Sequence, residues 1–227
     1  MQRFFLEPQN SGSDTVSIDD RETIEQMRRV LRMQPGAKFI ALDNSGDEFV
    51  CELQEIGKVA HAKIVERRKN TAEPDVELTL YQALPKKIAL FEMVLQKATE
   101  IGVAKFVPLI TRRTERGELP KRERMQKILK EAAEQSERGK IPELSEPVEF
   151  EDVIKKDSII LAERSQGERL ERAASGTKID LFVGPEGGFT QEELSLAQER
   201  GALFASLGPR ILRTETAGIV ASGILLL

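Results

Sequence analysis

The sequence predicts an α/β protein, a parallel sheet covered by helices on both faces, preceded by a small β-rich barrel. Three observations predict it. Residues 1–70 carry strand-like runs broken by turn clusters. From residue 76 onward, strand-like runs alternate with segments of helical period, the pattern of a parallel sheet. Between them lies KNTAEPD (69–75), polar and proline-containing, where the pattern changes. The expected domains are therefore 1–71 and 72–227.

In the first domain, KFIAL (38–42) and EFVCELQEI (48–56) flank DNSGD, a turn cluster, and HAKIVERR (61–68) supplies a third strand. RETIEQMRRVLRMQPG (21–36) repeats Ile24, Met27 and Leu31 at helical spacing and stops at Pro35-Gly36. In the second domain, VELTLYQAL (76–84) reads as a strand. KKIALFEMVLQKATEIG (86–102) reads as a helix with Phe91, Val94, Leu95 and Ala98 inward and Gly102 as its stop. KFVPLI (105–110), a helix after Pro120, SIILAE (158–163), ERLERAA, IDLFVG (179–184), a helix from 190, LFASLG (203–208) and a helix from about 214 complete the alternation.

Composition bounds the function. Of 227 residues, 40% are hydrophobic and 32% charged, enough apolar material for a core, and the net charge of −4 gives no global attraction to nucleic acid. A single cysteine, Cys51, excludes an internal disulfide framework and fits a reducing compartment. With one histidine, His61, a His/Cys metal site is not expected. MQRFFLEPQN has no signal-peptide apolar region, and AGIVASGILLL is too short to span a bilayer, so a cytoplasmic protein without membrane contact is expected.

Two glycine-proline turns draw attention. In GPEGGFTQEEL, Thr190 and Glu193 form a capping box, so the turn joins a buried strand to a helix N-terminus. Ligands of open α/β sheets bind at such strand ends. The turn has neither a P-loop nor a dinucleotide fingerprint. Pro185 removes a backbone donor and Glu186 adds a carboxylate, so a neutral or cationic ligand suits it better than phosphate. A plain tight connection is the alternative. SLGPRILRTETAG (206–218) repeats the arrangement, with Thr214 as N-cap and an apolar Ile211-Leu212 pair in the loop.

GPEGGF, LGPRILRTETA, QKATEIGV (96–103) and EAAEQSERGKIPEL (131–144) together resemble the RsmE family of SPOUT-class methyltransferases, along nearly the whole chain. The resemblance implies a PUA-like RNA-binding barrel followed by a trefoil-knotted, dimerising α/β domain. It implies S-adenosylmethionine as cofactor and N3 of a uridine in 16S ribosomal RNA, within the small ribosomal subunit, as acceptor. By motif match, cofactor residues are Leu161, Ala162 and Glu163; Gly184, Pro185, Glu186 and Gly188; and Leu207, Gly208, Ile211, Leu212, Arg213, Thr214 and Ala217.

Such a transfer needs acceptor and donor aligned, and the uracil charge stabilised as the N3 proton leaves. Arg213 and Arg210 are candidates for stabilising the oxygens, and Glu215 for orienting an arginine; a loop-shaping Arg213–Glu215 salt bridge is the alternative. His61 lies outside every catalytic motif. The expected RNA contacts are Arg28, Arg29 and Arg32, with 28 and 32 on one helix face, joined by Arg3, Lys97, Arg112 and Arg138. Arg113 and Arg116 share the strand-end cluster with Arg112. For Lys121–Lys130, where acids alternate with bases, an ordinary solvated face is the better reading. A non-catalytic RNA-binding assembly factor, or a SPOUT enzyme acting at another RNA position, are the competing functions.

Overall fold

A computed structural model describes residues 1–6, 14–162 and 167–227 of the chain. It divides into two compact units, Met1–Glu73 with Ala133–Ile141, and Pro74–Ala132 with Pro142–Leu227.

In the first unit, β1 (Arg3–Phe5), β2 (Thr15–Ile18), β3 (Lys38–Leu42), β4 (Asp47–Ile56) and β5 (Ala60–Lys69) form one curled sheet in the order β1-β3-β4-β5-β2. β1 runs parallel to β3 and the other pairs are antiparallel. Register shifts at Val50/Cys51 and Leu53/Glu55 bend the long β4–β5 ribbon. One face buries Phe4, Val16, Ile18, Phe39, Cys51 and Leu53 against Ile24 and Met27. Burial pushes the Cys51 thiol up to about 11.

The expected helix over 21–36 is shorter. α1 (Arg21–Glu25) starts at Asp20, whose carboxylate accepts from the Thr23 amide at 2.7 Å. It widens into a π-type turn over Gln26–Val30, closed by the Leu31 amide on the Gln26 carbonyl at 2.9 Å. Arg32 then takes φ +52°, with the Met33 amide on the Met27 carbonyl at 2.9 Å, so the helix ends before Pro35. The wide turn keeps Met27 fully buried while three arginines stay outside.

Residues Ala133–Ile141 join this unit through polar contacts that a single cut near residue 71 does not foresee. Glu134 accepts from the Phe5 amide at 2.9 Å, and Glu137 from Arg3 at 2.9 Å. Asn44 accepts from the Ile141 amide at 2.6 Å. Glu48, 4% exposed, takes hydrogen bonds from Arg3, Arg68 and Asn70. Burial opposes its charge, but the hydrogen bonds from Arg68 and Asn70 and the charge and hydrogen bond of Arg3 outweigh that and hold its carboxyl below the ordinary range.

The second unit is a parallel sheet of β6 (Glu77–Ala83), β7 (Lys105–Ile110), β8 (Glu143–Leu144), β10 (Ile159–Leu161), β11 (Glu168–Arg169), β12 (Lys178–Val183) and β13 (Leu203–Ser206). Its order is β11-β13-β10-β12-β6-β7-β8, and β9 (Val148–Glu149) also pairs with β7. Its helices are α2 (Ile88–Ile101), α3 (Arg122–Gln135, whose last turn belongs to the first unit), α4 (Phe150–Val153), α5 (Leu170–Ala173), α6 (Gln191–Glu199) and α7 (Thr214–Leu226). α2 buries Phe91, Val94, Leu95 and Ala98 and ends at Gly102, φ +118°, where a Cβ would lie 2.4 Å from Pro74. α2 packs on α7, and α7 on β6. β8, β9 and α4 were not foreseen; their runs are too short to show a period.

β11, which falls between β10 and β12 in the chain, pairs with the outer edge of β13. The chain leaving β13 then returns inward to lay α7 against α2 and β6. This interleaved strand order fits the SPOUT fold, and counting elements along the chain does not predict it.

Candidate functional site

β13, β10 and β12 are neighbours, and being parallel they present their C-terminal ends together. Each end opens a loop singled out in the sequence: Ala162 after β10, Gly184–Phe189 after β12, and Leu207–Arg213 after β13. The two glycine-proline turns therefore sit two strands apart with the end of β10 between them. Leu161 and Ala162 are half-buried at that middle end, the Ala162 amide donating to the Ala205 carbonyl at 2.8 Å; Glu163 lies outside the described residues.

The β12 turn closes on itself through the Gly188 amide and the Pro185 carbonyl at 2.9 Å. The capping box forms: Glu193 accepts from the Thr190 amide at 2.7 Å, and Thr190 from the Glu193 amide at 3.3 Å. Glu193, 6% exposed, also accepts from the Arg112 amide at 2.9 Å, tying α6 to the segment after β7. Arg113 on that segment donates to the Gly187 carbonyl and, at 3.5 Å, to the Phe189 carbonyl. Arg113 thus acts on the turn itself. Glu186 is exposed, and its carboxylate accepts from the Lys86 amide at 3.1 Å. A hydrogen bond to Glu115, the charge of Glu115, and that of Glu186 raise the Lys86 ammonium.

In the β13 loop, Gly208 has φ +109°, a conformation a side chain would strain, and its amide donates to Ser206 Oγ at 3.1 Å. Leu207 and Leu212 are half-buried and Ile211 is 60% exposed, which makes an apolar lip on this loop. Arg210 and Arg213 are exposed, whereas Glu215 is buried in the first turn of α7. Among the described residues Arg213 and Glu215 form no salt bridge. Thr214 is not the N-cap. Arg213 holds that position, and Thr214 begins the helix with its hydroxyl donating to the Gly184 carbonyl at 2.6 Å. Half-buried Ala217 closes that first turn, its amide donating to the Arg213 carbonyl at 2.8 Å.

Gln82, at the end of β6, was not singled out. It is 1% exposed and its Nε2 donates to Thr214 Oγ1 at 2.8 Å. A sequence signal existed: strand alternation places position 82 on the face of Leu78 and Leu80, both fully buried.

The expected RNA-contacting residues fall into two groups. Arg28, Arg29 and Arg32 are exposed beside Val30, which is 73% exposed. Arg32, left-handed and past the helix, shares no helix face with Arg28. Arg112 is exposed and reaches Glu151 at 3.4 Å, and Lys97 pairs with Glu100 at 2.8 Å on the same helix. Arg3 and Arg138 are corrections. The Arg3 side chain is 9% exposed between Glu48 and Glu137. Arg138 is 3% exposed, with Glu73 on its Nη2 at 2.8 Å and its Nε at 3.2 Å. Both guanidiniums neutralise carboxylates inside the first unit instead of facing RNA. His61 is an exposed strand residue beside Ser17 Oγ at 3.2 Å.

Residues 72–226 match the RNA methyltransferase domain family and residues 20–65 the RNA methyltransferase PUA domain family. The chain is 32% identical to ribosomal RNA small subunit methyltransferase E of Bacillus subtilis, over 97% of this chain and 94% of the relative. The corresponding Synechocystis protein is 35% identical, over 96% and 75%. The fold matches the crystal structure of the Neisseria gonorrhoeae protein of that name bound to S-adenosylmethionine, with a TM-score of 0.88, 30% identity, and coverage of 99% and 96%. Parallel sheet, PUA-like half-barrel and sequence agree over nearly the full length: the chain belongs to the ribosomal RNA small subunit methyltransferase E family, on a SPOUT fold.

Proposed function

We propose that the chain uses S-adenosylmethionine to methylate N3 of a uridine in 16S ribosomal RNA, in the cytoplasm and as a homodimer. One observation carries the reading: three adjacent parallel strands end together, two of them in glycine-proline turns, beside an apolar lip in a chain whose relative binds S-adenosylmethionine at 30% identity.

The residues fit that cofactor. Leu207, Ile211 and Leu212 offer apolar contact to adenine, and backbone groups at Gly184–Gly188 and Gly208 would serve its polar edge. When bound, S-adenosylmethionine supplies an electrophilic methyl group on a sulfonium. Arg213, exposed at the start of α7, and Arg210 are the cations available to the uracil oxygens as N3 loses its proton. Glu215 lies buried in the first turn of α7, next to Thr214 in the chain. Because N3 lies on the Watson–Crick edge, the uridine must be unpaired or flipped. Arg28, Arg29 and Arg32 supply phosphate contacts from the PUA-like unit.

The homodimer rests on Met93 of α2 and Val220 and Ile224 of α7, each more than a third exposed on two helices that pack together. Among the described residues no helix is long and apolar enough to cross a membrane. The test is nucleoside mass spectrometry of small-subunit RNA from a deletion strain, with reconstitution by purified protein and S-adenosylmethionine. Loss and recovery of one N3-methyluridine supports the proposal. An unchanged nucleoside profile, with RNA binding that persists without cofactor, establishes a non-catalytic binding factor instead; loss of a different nucleoside reassigns the position.

A further inference from the structure

Gln82, Thr214 and Gly184 come from three separate stretches of the second unit: the end of β6, the first residue of α7 and the first residue of the β12 turn. Their side-chain and backbone groups form a line. The Gly184 carbonyl can only accept, so at 2.6 Å the Thr214 hydroxyl must donate to it. That leaves the Thr214 oxygen as acceptor, and Gln82 must donate through Nε2 at 2.8 Å. The direction of the relay, amide to hydroxyl to carbonyl, is therefore fixed by chemistry.

Gln82 holds this position at a cost. Its Oε1 is buried without a hydrogen-bond partner, facing Gly218 of α7, where a Cβ would lie 2.3 Å away. An apolar side chain of the same length would fill the space without that unsatisfied oxygen. A buried amide that makes one short hydrogen bond, adds a long one of 3.5 Å to the Ala83 carbonyl and leaves its acceptor empty is not explained by stability. Its donated bond is what distinguishes it from a methionine or leucine.

We infer that Gln82 is a positioning residue for methyl transfer: through Thr214 it locks the start of α7, and with it Arg213 and Glu215, to the Gly184 turn. The inference rests on the cofactor reading above. Two of the three cofactor-facing loops are then joined by one buried relay, so their relative placement does not depend on a bound ligand.

The test compares Gln82→Met, Thr214→Val and Thr214→Ser in the full-length protein. S-adenosylmethionine binding is measured by calorimetry, kcat and KM on unmodified small subunits, and unfolding by urea. Gln82→Met is expected to weaken cofactor binding about tenfold while its urea midpoint is held or raised, because the empty acceptor disappears. Thr214→Val weakens binding similarly, and the double variant is no worse than the weaker single, since both cut one relay. Thr214→Ser, which keeps the hydroxyl, stays within about threefold of wild type. Wild-type binding by Gln82→Met, additive losses in the double variant, or a loss of binding that only tracks lowered stability each overturn the inference while leaving the cofactor reading intact. Wild-type protein that binds no S-adenosylmethionine overturns both.

Discussion

Replacing Gly218 by alanine tests the close approach of α7 to β6. In the middle of a helix, Gly→Ala ordinarily stabilises by about 1 kcal/mol. Here a Cβ would stand 2.3 Å from Gln82 Oε1 and 3.8 Å from Leu80 Cδ2. Gln82 is buried and cannot swing into solvent, so the amide must shift and its 2.8 Å bond to Thr214 breaks. Overpacking costs about 1–3 kcal/mol and the lost hydrogen bond about 1 kcal/mol. Against the helix-propensity gain, the net is a loss of about 1–3 kcal/mol, or roughly 2–10 °C in a chain of this size. The same helix supplies its own control. At Gly223 the nearest atom to an added Cβ is Leu227 Cδ1 at 3.9 Å, so Gly223→Ala should stabilise. Thermal and urea unfolding of both variants decides the matter. If both alanines stabilise the protein, the packing argument for Gly218 and Gln82 is refuted.

Glu73→Gln removes the carboxylate that pairs with buried Arg138 and should destabilise the protein by about 1–3 kcal/mol, read by urea unfolding, with RNA affinity following only the loss of fold. Glu48 contributes stability that is complete above its ordinary value of 4.5 and is lost as pH falls through its lower folded-state value; Glu48→Gln should flatten that acid limb of the urea midpoint against pH. Cys51, buried with its thiol at about 11, should resist a thiol reagent at pH 8 until denaturant is added, measured by mass spectrometry. Arg28→Ala with Arg29→Ala should weaken RNA binding and reduce its salt dependence by roughly one to two counterions, without shifting the urea midpoint; an unchanged salt slope removes these residues from the interface.

Much of the second unit was legible because its signals are local. α2 declares itself by apolar residues at helical spacing and by Gly102, and α6 by Thr190 and Glu193. The parallel sheet follows from alternation, since each β-run must cross over before it pairs. In the first unit the helix from Arg21 was legible at its start, where Asp20 caps it. Its end was not: the π-type turn that keeps Met27 inside depends on the sheet beneath it.

The sequence alone determined the alternating α/β pattern and the two glycine-proline turns, because strand ends, turns and caps are written in neighbouring residues; the β10 loop and the SPOUT class came from the family resemblance. It also singled out the residues of those loops by motif. Tertiary structure decided what each charge and amide does there. Arg3 and Arg138 look like any other arginine along the chain, but Glu48, Glu137 and Glu73 reach them from far away and withdraw them from solvent. Glu186 turns to an amide 100 residues distant, and Thr214 loses its expected role as a cap to join Gln82 with Gly184. Partners brought together by folding set burial and hydrogen bonding, and no spacing within a short motif encodes them.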